Sequence, residues 1–151
     1  MPTLLRFVMA DILQDFPINA SRARVFEMFT APRGLDAWWT LKSAGEPVEG
    51  TEYSLFFGPE SDWRAQVTKC VPDVEFELMM TRADTDWTGS RVGVTLESRG
   101  DGTRVAFRHV GWPDANAHYR TSCHCWALYL RVLRRYLEFG ESVPYDARLD
   151  A

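Results

Sequence analysis

Hydrophobic positions recur at two different periods along this chain, and the change of period divides it. From Asn116 to Gly140, in NAHYRTSCHCWALYLRVLRRYLEFG, Tyr119, Cys123, Trp126, Leu130, Leu133 and Leu137 fall at steps of three or four and share one stripe of an α-helix. Arg120, Arg131, Arg134, Arg135 and Glu138 fall mostly off that stripe and suit a solvated back. Asn116, after Trp112-Pro113-Asp114, is placed to cap the start; Gly140 followed by Pro144 marks the stop. At 1.5 Å per residue, a helix of about 24 residues spans roughly 36 Å, the width of a small domain.

Upstream the period is mostly two. Ile12, Leu13, Phe16 and Ile18 stand among polar residues and predict a strand over Asp11 to Ile18, with Pro17 suiting an edge or a strand end. Asn19 or Ser21 then caps a helix reaching Thr30, with Val25, Phe26, Met28 and Phe29 inward. Pro32 opens a second short helix, APRGLDAWW, which ends on Trp38-Trp39; the polar stretch KSAGEPVEG that follows predicts no element. Tyr53, Leu55 and Phe57 make the next strand, and after the turn at Gly58 to Ser61 come Trp63, Ala65, Val67, Cys70 and Val71. Beyond Pro72-Asp73, Val74, Phe76, Leu78 and Met80 alternate with Glu75, Glu77 and Thr81, the pattern of a strand buried on one face only. The loop ADTDWTG leads to a strand with Val92, Val94 and Leu96, a hairpin turn at Arg99 to Thr103, and a last strand with Val105, Phe107 and His109 inward.

Closely spaced strands joined by short turns imply an antiparallel meander. The long helix must then bury its aromatic stripe across that sheet, an α+β arrangement. No repeat, low-complexity tract or linker interrupts the pattern, so residues 1–151 are expected to form one domain. Residues 1–8 are expected to be a loosely held extension, and Met9 is a possible natural start.

Composition narrows the class. The chain is 46% hydrophobic and 25% charged, values of a soluble globular protein. Six Trp, nine Phe and five Tyr exceed what a core of this size needs and point to a lined cavity. A net charge of −4 and a pI of about 5.4 argue against nucleic acid or an anionic membrane as partner. No stretch approaches the ~20 apolar residues of a membrane span, and MPTLLRFVMA carries too little charge and apolar length for a signal peptide. Three cysteines cannot all pair, and Cys123 and Cys125 diverge on a helix, so free thiols in a reducing cytoplasm are expected.

Three stretches carry a resemblance. INASRARVFEMFTAPRGLDAWW resembles the opening of the Hsp90-ATPase-activator-homologue-like branch of the START/Bet v 1-like (SRPBCC) superfamily; VAFRHVGWPD is similar to the end of that family's last strand, and YLRVLRRYLEFGESVPY to its helix exit. The resemblance runs over roughly residues 10–145. It implies the helix-grip fold, a curved antiparallel sheet wrapped around the long helix with an elongated apolar cavity between them. Across that superfamily functions range from lipid and hormone binding to polyketide cyclisation and co-chaperone activity, so the fold leaves function open.

The resemblance places Trp38 and Trp39 near the cavity mouth, where indoles can cover a ligand and donate hydrogen bonds; alternatively they plug the gap between helices and sheet. His109, in phase with Val105 and Phe107, points inward as a weak candidate acid or base, with no carboxylate in the sequence to orient it. Tyr53, Trp63, Phe76, Met80 and Trp87 on the strand side are candidate ligand-binding residues. Trp112, Tyr119, Cys123, Trp126 and Leu130 complete that lining, a wall suited to a mostly apolar small molecule; the same residues would equally make a dense core. Cys123, His124, Cys125 and His118 lack metal-ligand spacing on a helix, so neither a metal nor a cofactor is expected. P-loop, dinucleotide and nucleophile-elbow motifs are absent.

Three functions follow as expectations. The first is a cytoplasmic binding module for an apolar or amphipathic small molecule. The second is a cyclase- or hydrolase-type enzyme using His109 with a Tyr or Arg of the lining. The third, implied by the family, is an Hsp90-type co-chaperone. Ile12 and Phe16 on a possible edge strand leave a homodimer open.

Overall fold

The computed structural model describes residues 9–151, so the expectation for residues 1–8 lies outside the described residues. Strand β1 (Ala10–Ile18) is followed by helices α1 (Arg22–Thr30) and α2 (Pro32–Trp38). Strands β2 (Lys42–Ala44), β3 (Glu52–Phe56), β4 (Asp62–Val71), β5 (Glu75–Arg82), β6 (Arg91–Arg99) and β7 (Gly102–Trp112) come next. The chain closes with helix α3 (Ala117–Phe139) and a 3-10 turn (Tyr145–Asp150). The strands form one curved antiparallel sheet in the order β1-β7-β6-β5-β4-β3-β2, a meander from β2 to β7 with β1 added at the far edge. Pro17 therefore sits on an edge strand, where its missing N–H costs no ladder bond on the free side.

Local chemistry sets the helix ends. The Ser21 hydroxyl accepts from the Arg24 amide at 3.3 Å and starts α1. Pro32 occupies the first turn of α2. There Gly34 lies so close to α1 that a β-carbon would stand 2.6 Å from the Glu27 carbonyl, so the two helices meet backbone to backbone. Asn116 accepts from the Tyr119 amide at 2.9 Å at the start of α3, and Gly140 ends it in the left-handed conformation, φ 68°. Of the predicted stripe, Trp126, Leu130, Leu133 and Leu137 are buried against sheet and short helices, while Tyr119 and Cys123 are half-buried.

Four details depart from the sequence expectations. KSAGEPVEG contains strand β2, which pairs Lys42–Ala44 with Phe56–Ser54 of β3; three residues without hydrophobic alternation give no periodic signal. Leu13 is 68% exposed, because a period of two turns it away from Ile12 and Ile18. Glu77, expected on a solvated face, is 3% exposed beneath Arg108. Beyond the helix stop, the 3-10 turn folds back, and buried Arg148 donates to the main-chain carbonyls of Asp36, Thr40 and Val143 at 2.5, 3.1 and 3.2 Å.

The Glu77 arrangement depends on strand register. Glu77, Gly93 and Arg108 are direct partners on β5, β6 and β7. Gly93 has no side chain in the middle, and a β-carbon there would lie 2.9 Å from the Arg108 guanidinium. Arg108 thus lies flat across β6 and donates to Glu77 Oε2 from Nε and Nη2 at 3.1 and 3.0 Å, and to Glu75 at 3.0 Å. Thr68 donates to the other Glu77 oxygen at 2.9 Å.

Candidate functional site

The concave side of the sheet collects tryptophans from five different parts of the chain. Trp126, on the buried stripe of α3, is the hub: its ring lies 5.2 Å from Trp39, 6.4 Å from Trp38, 5.7 Å from Trp87 and 4.6 Å from Phe107 between centroids. Trp38 and Trp39 close the end of α2, and the Trp38 indole donates to the Met28 carbonyl at 2.9 Å. Both are buried and fill the gap between helices and sheet rather than standing open at a mouth. A small apolar void of ≈ 20 Å³ remains between Phe29, Trp38, Trp39, Phe76 and Leu78, about room for one water.

Trp87 arrives from the loop Ala83–Gly89 and is its only buried residue. The ring packs between Trp63 (5.0 Å), His109 (4.4 Å), Trp112 (5.9 Å) and Trp126. Asp86 Oδ2 secures the loop by accepting from Asn116 Nδ2 at 3.2 Å and pairing with His118 Nδ1 at 3.1 Å, at the start of α3. The indole N–H groups of Trp87 and Trp112 are buried with no partner among the described residues. Burying a Trp ring of 150–250 Å² is worth about 4–6 kcal/mol, and an unmet buried donor takes back about 1–3 kcal/mol. Trp87 is accordingly held less firmly than its contacts imply.

His109 is fully buried in the same cluster. The Trp126 indole can only donate, and it reaches His109 Nδ1 at 3.1 Å, so Nδ1 is the acceptor and the proton resides on Nε2. Nε2 lies 2.7 Å from Ser90 Oγ, and the Ser90 hydroxyl donates to the Trp87 carbonyl at 2.5 Å. Both ring nitrogens are committed. Burial, helped by nearby His118, pushes the His109 pKa down to about 3. At neutral pH the ring is an uncharged structural link between α3 and the Trp87 loop.

This has a pH consequence. An unfolded histidine titrates near 6.5, so the folded protein resists a proton that the unfolded chain accepts. The contribution is complete above pH 6.5 and declines by roughly 1.4 kcal/mol per unit as pH falls from 6.5 toward the folded value near 3. Urea denaturation between pH 7 and pH 5 is expected to show that slope. In His109→Gln, whose amide can accept from Trp126 and donate to Ser90 without titrating, the slope over the same range is expected to be nearly flat.

The remaining candidates divide by place. Trp63 is half-buried at the strand end of the cluster, against Phe57 at 4.9 Å and Trp87. Met80 is buried on β5, and its backbone brackets the Trp87 loop through Ser90 and Gly89 at 2.8 and 2.7 Å. Tyr53 and Phe76 stand with Phe26, away from Trp87; the Tyr53 hydroxyl donates to the Thr30 carbonyl at 2.7 Å, and burial raises its pKa further above the ordinary value. Tyr119 packs on Trp112 and donates to the Asp11 carbonyl at 2.6 Å. The Cys123 carbonyl accepts from Gln14 at 3.3 Å, and Leu130 is buried one turn beyond Trp126.

Ser90, Asp86 and Phe57 complete the site and were not singled out as site residues from sequence. Ser90 had a signal, its even spacing from inward Val92 and Val94; Asp86 sits in a turn with none. Among the described residues no three His, Cys, Asp or Glu side chains converge as metal ligands. No described helix is long and apolar enough to cross a membrane.

Comparison with known proteins fits this architecture. The Aha1 dimer from Colwellia psychrerythraea, a solution structure, is 26% identical over 89% of this chain and 100% of that one, with a TM-score of 0.80. SSP2350 from Staphylococcus saprophyticus is 18% identical over 89% of this chain and 96% of its own, TM-score 0.73. CalU16 from Micromonospora echinospora is 17% identical over 94% and 85%, TM-score 0.70. The latter two share the fold. No curated protein sequence matches the chain. The family description "Activator of Hsp90 ATPase homolog 1-like protein" matches residues 19–138, four-fifths of the sequence, and the chain belongs to that family, on the SRPBCC-type helix-grip fold.

Proposed function

We propose that this protein binds a small apolar or amphipathic molecule between the sheet and α3, in the space walled by Trp63, Trp87, Trp112 and Trp126. The observation that carries this reading is Trp87, a large ring brought into the aromatic cluster by a loop whose other residues lie at or near the surface. A core residue held on rigid elements fills space permanently; a ring on a surface loop can leave and return. The site is apolar, and His109, neutral and committed at both nitrogens, supports binding and orientation rather than proton transfer. A thermal-denaturation screen with fatty acids and with compact aromatic compounds tests the proposal. At least one class at 100-fold over its Kd is expected to stabilise the fold by about 2.7 kcal/mol. A melting temperature unmoved by every class counts against it.

A second reading is favoured by the likeness to the Colwellia psychrerythraea Aha1 dimer. In it the chain pairs with a second copy and contacts an Hsp90-type chaperone. Edge strand β1, with Leu13 outward, offers a surface for such contacts. Sedimentation of the purified protein, with a pull-down and ATPase assay on the host's Hsp90, decides it; a monomer without effect on that ATPase rules it out.

A further inference from the structure

Resting on the pocket just proposed, we infer that its ligand is a flat, indole-sized bicyclic molecule carrying a carbonyl-type oxygen, which takes the place of the Trp87 ring and accepts a hydrogen bond from Trp112. Two observations carry the size and one carries the oxygen. The Trp87 ring itself fills the space between Trp63, His109, Trp112 and Trp126, at centroid distances of 5.0, 4.4, 5.9 and 5.7 Å, so a ligand enters there only as that ring leaves. The loop Ala83–Gly89 otherwise lies at or near the surface, so Trp87 is the one side chain that ties it into the cluster. The vacancy then has the outline of an indole, flanked by Trp63, His109, Trp112 and Trp126.

Its hydrogen-bonding demand is one-sided. The Trp126 N–H is taken by His109, the proton on His109 Nε2 by Ser90, and the Ser90 hydroxyl by the Trp87 carbonyl. The Trp112 N–H is fully buried in this wall and unmet among the described residues. A purely hydrocarbon ligand leaves it unmet; an oxygen acceptor satisfies it. The Trp87 N–H, unmet while the ring is in, gains water when the ring swings out.

Indan-1-one and indane separate the terms, since both are bicyclic and of indole size and only the first carries an acceptor; decanoate is the flexible apolar comparison. The protein is labelled with 5-fluorotryptophan and titrated with each, with fluorine resonances assigned by single Trp→Phe variants. Indan-1-one is expected to bind about tenfold more tightly than indane, the worth of one rescued hydrogen bond. The Trp87 signal is expected to move to a solvent-exposed position and gain a D2O isotope shift as the ligand saturates. In Trp112→Phe the preference for indan-1-one over indane is expected to fall to near unity. Equal affinities for indan-1-one and indane in the wild-type protein overturn the acceptor, and a Trp87 signal that stays buried on saturation overturns the displacement. Binding of decanoate without either bicyclic overturns this inference and leaves the apolar pocket standing; binding of none of the three overturns both.

Discussion

Trp126→Ala is expected to destabilise the fold by about 5 kcal/mol. Truncating a fully buried Trp costs about 3–5 kcal/mol through lost transfer energy and the cavity left behind. Here the deletion also strips the donor from His109 Nδ1, leaving a buried acceptor unmet, worth about 1–3 kcal/mol. The ring touches α2 through Trp38 and Trp39, the loop through Trp87 and β7 through Phe107, so no single element can collapse into the space. Against a typical total of 5–15 kcal/mol, much of the protein is then expected to be unfolded or aggregated at 37 °C. Trp126→Phe retains part of the packing and loses the N–H, so a smaller cost of about 2–3 kcal/mol is expected. Urea denaturation measures both. A loss under 2 kcal/mol for the alanine variant removes Trp126 from the centre of this account.

The second large effect lies on the opposite face of the sheet. Arg108→Met is expected to cost about 3–5 kcal/mol at pH 7, because it leaves the Glu77 carboxylate buried without its main partner. Thr68 and the more distant Arg91, at 3.8 Å, cannot replace two guanidinium hydrogen bonds. Burial alone works to raise the Glu77 pKa, and the hydrogen bonds from Thr68 and Arg108 more than reverse it, holding the carboxyl below the ordinary range. The stabilisation from Glu77 is therefore present above pH 4.5 and lost as pH falls through its lower folded value. Without Arg108 the carboxyl is expected to titrate upward, so the Arg108→Met penalty shrinks below pH 5. The double variant Arg108→Met with Glu77→Leu is expected to lie within about 2 kcal/mol of wild type, since an apolar pair of similar volume replaces the ion pair. Additive losses in the double variant show that the two residues are not coupled.

The two periods carried most of the fold. Regular spacing on α3 and alternation on β4 to β7 are direct images of the faces they bury, and the caps Ser21, Asn116 and Gly140 are local chemistry readable within four residues. Strand β2 was not readable because three residues paired on one neighbour carry no period. Burial of Glu77 was not readable because it needs Gly93 and Arg108 in register across two strands more than 15 residues away. The inward set of the site was legible from phase, His109 among it. Its partners were not: no carboxylate orients His109, because a serine and a tryptophan fill that role. Trp87 stood out by type, while its placement depends on how an irregular loop folds back, and no periodicity encodes that.

Entry of a small molecule into the aromatic cluster between sheet and α3 would perturb the indoles that wall it. The indole N–H region of a ¹⁵N–¹H spectrum, in which each of the six Trp gives its own signal, reports such entry during titration with fatty acids and compact aromatic compounds. Saturable shifts are expected for at least one compound, largest at Trp63, Trp87, Trp112 and Trp126. Six signals unmoved by every compound, in a protein that carries no retained small molecule by native mass spectrometry, contradict it.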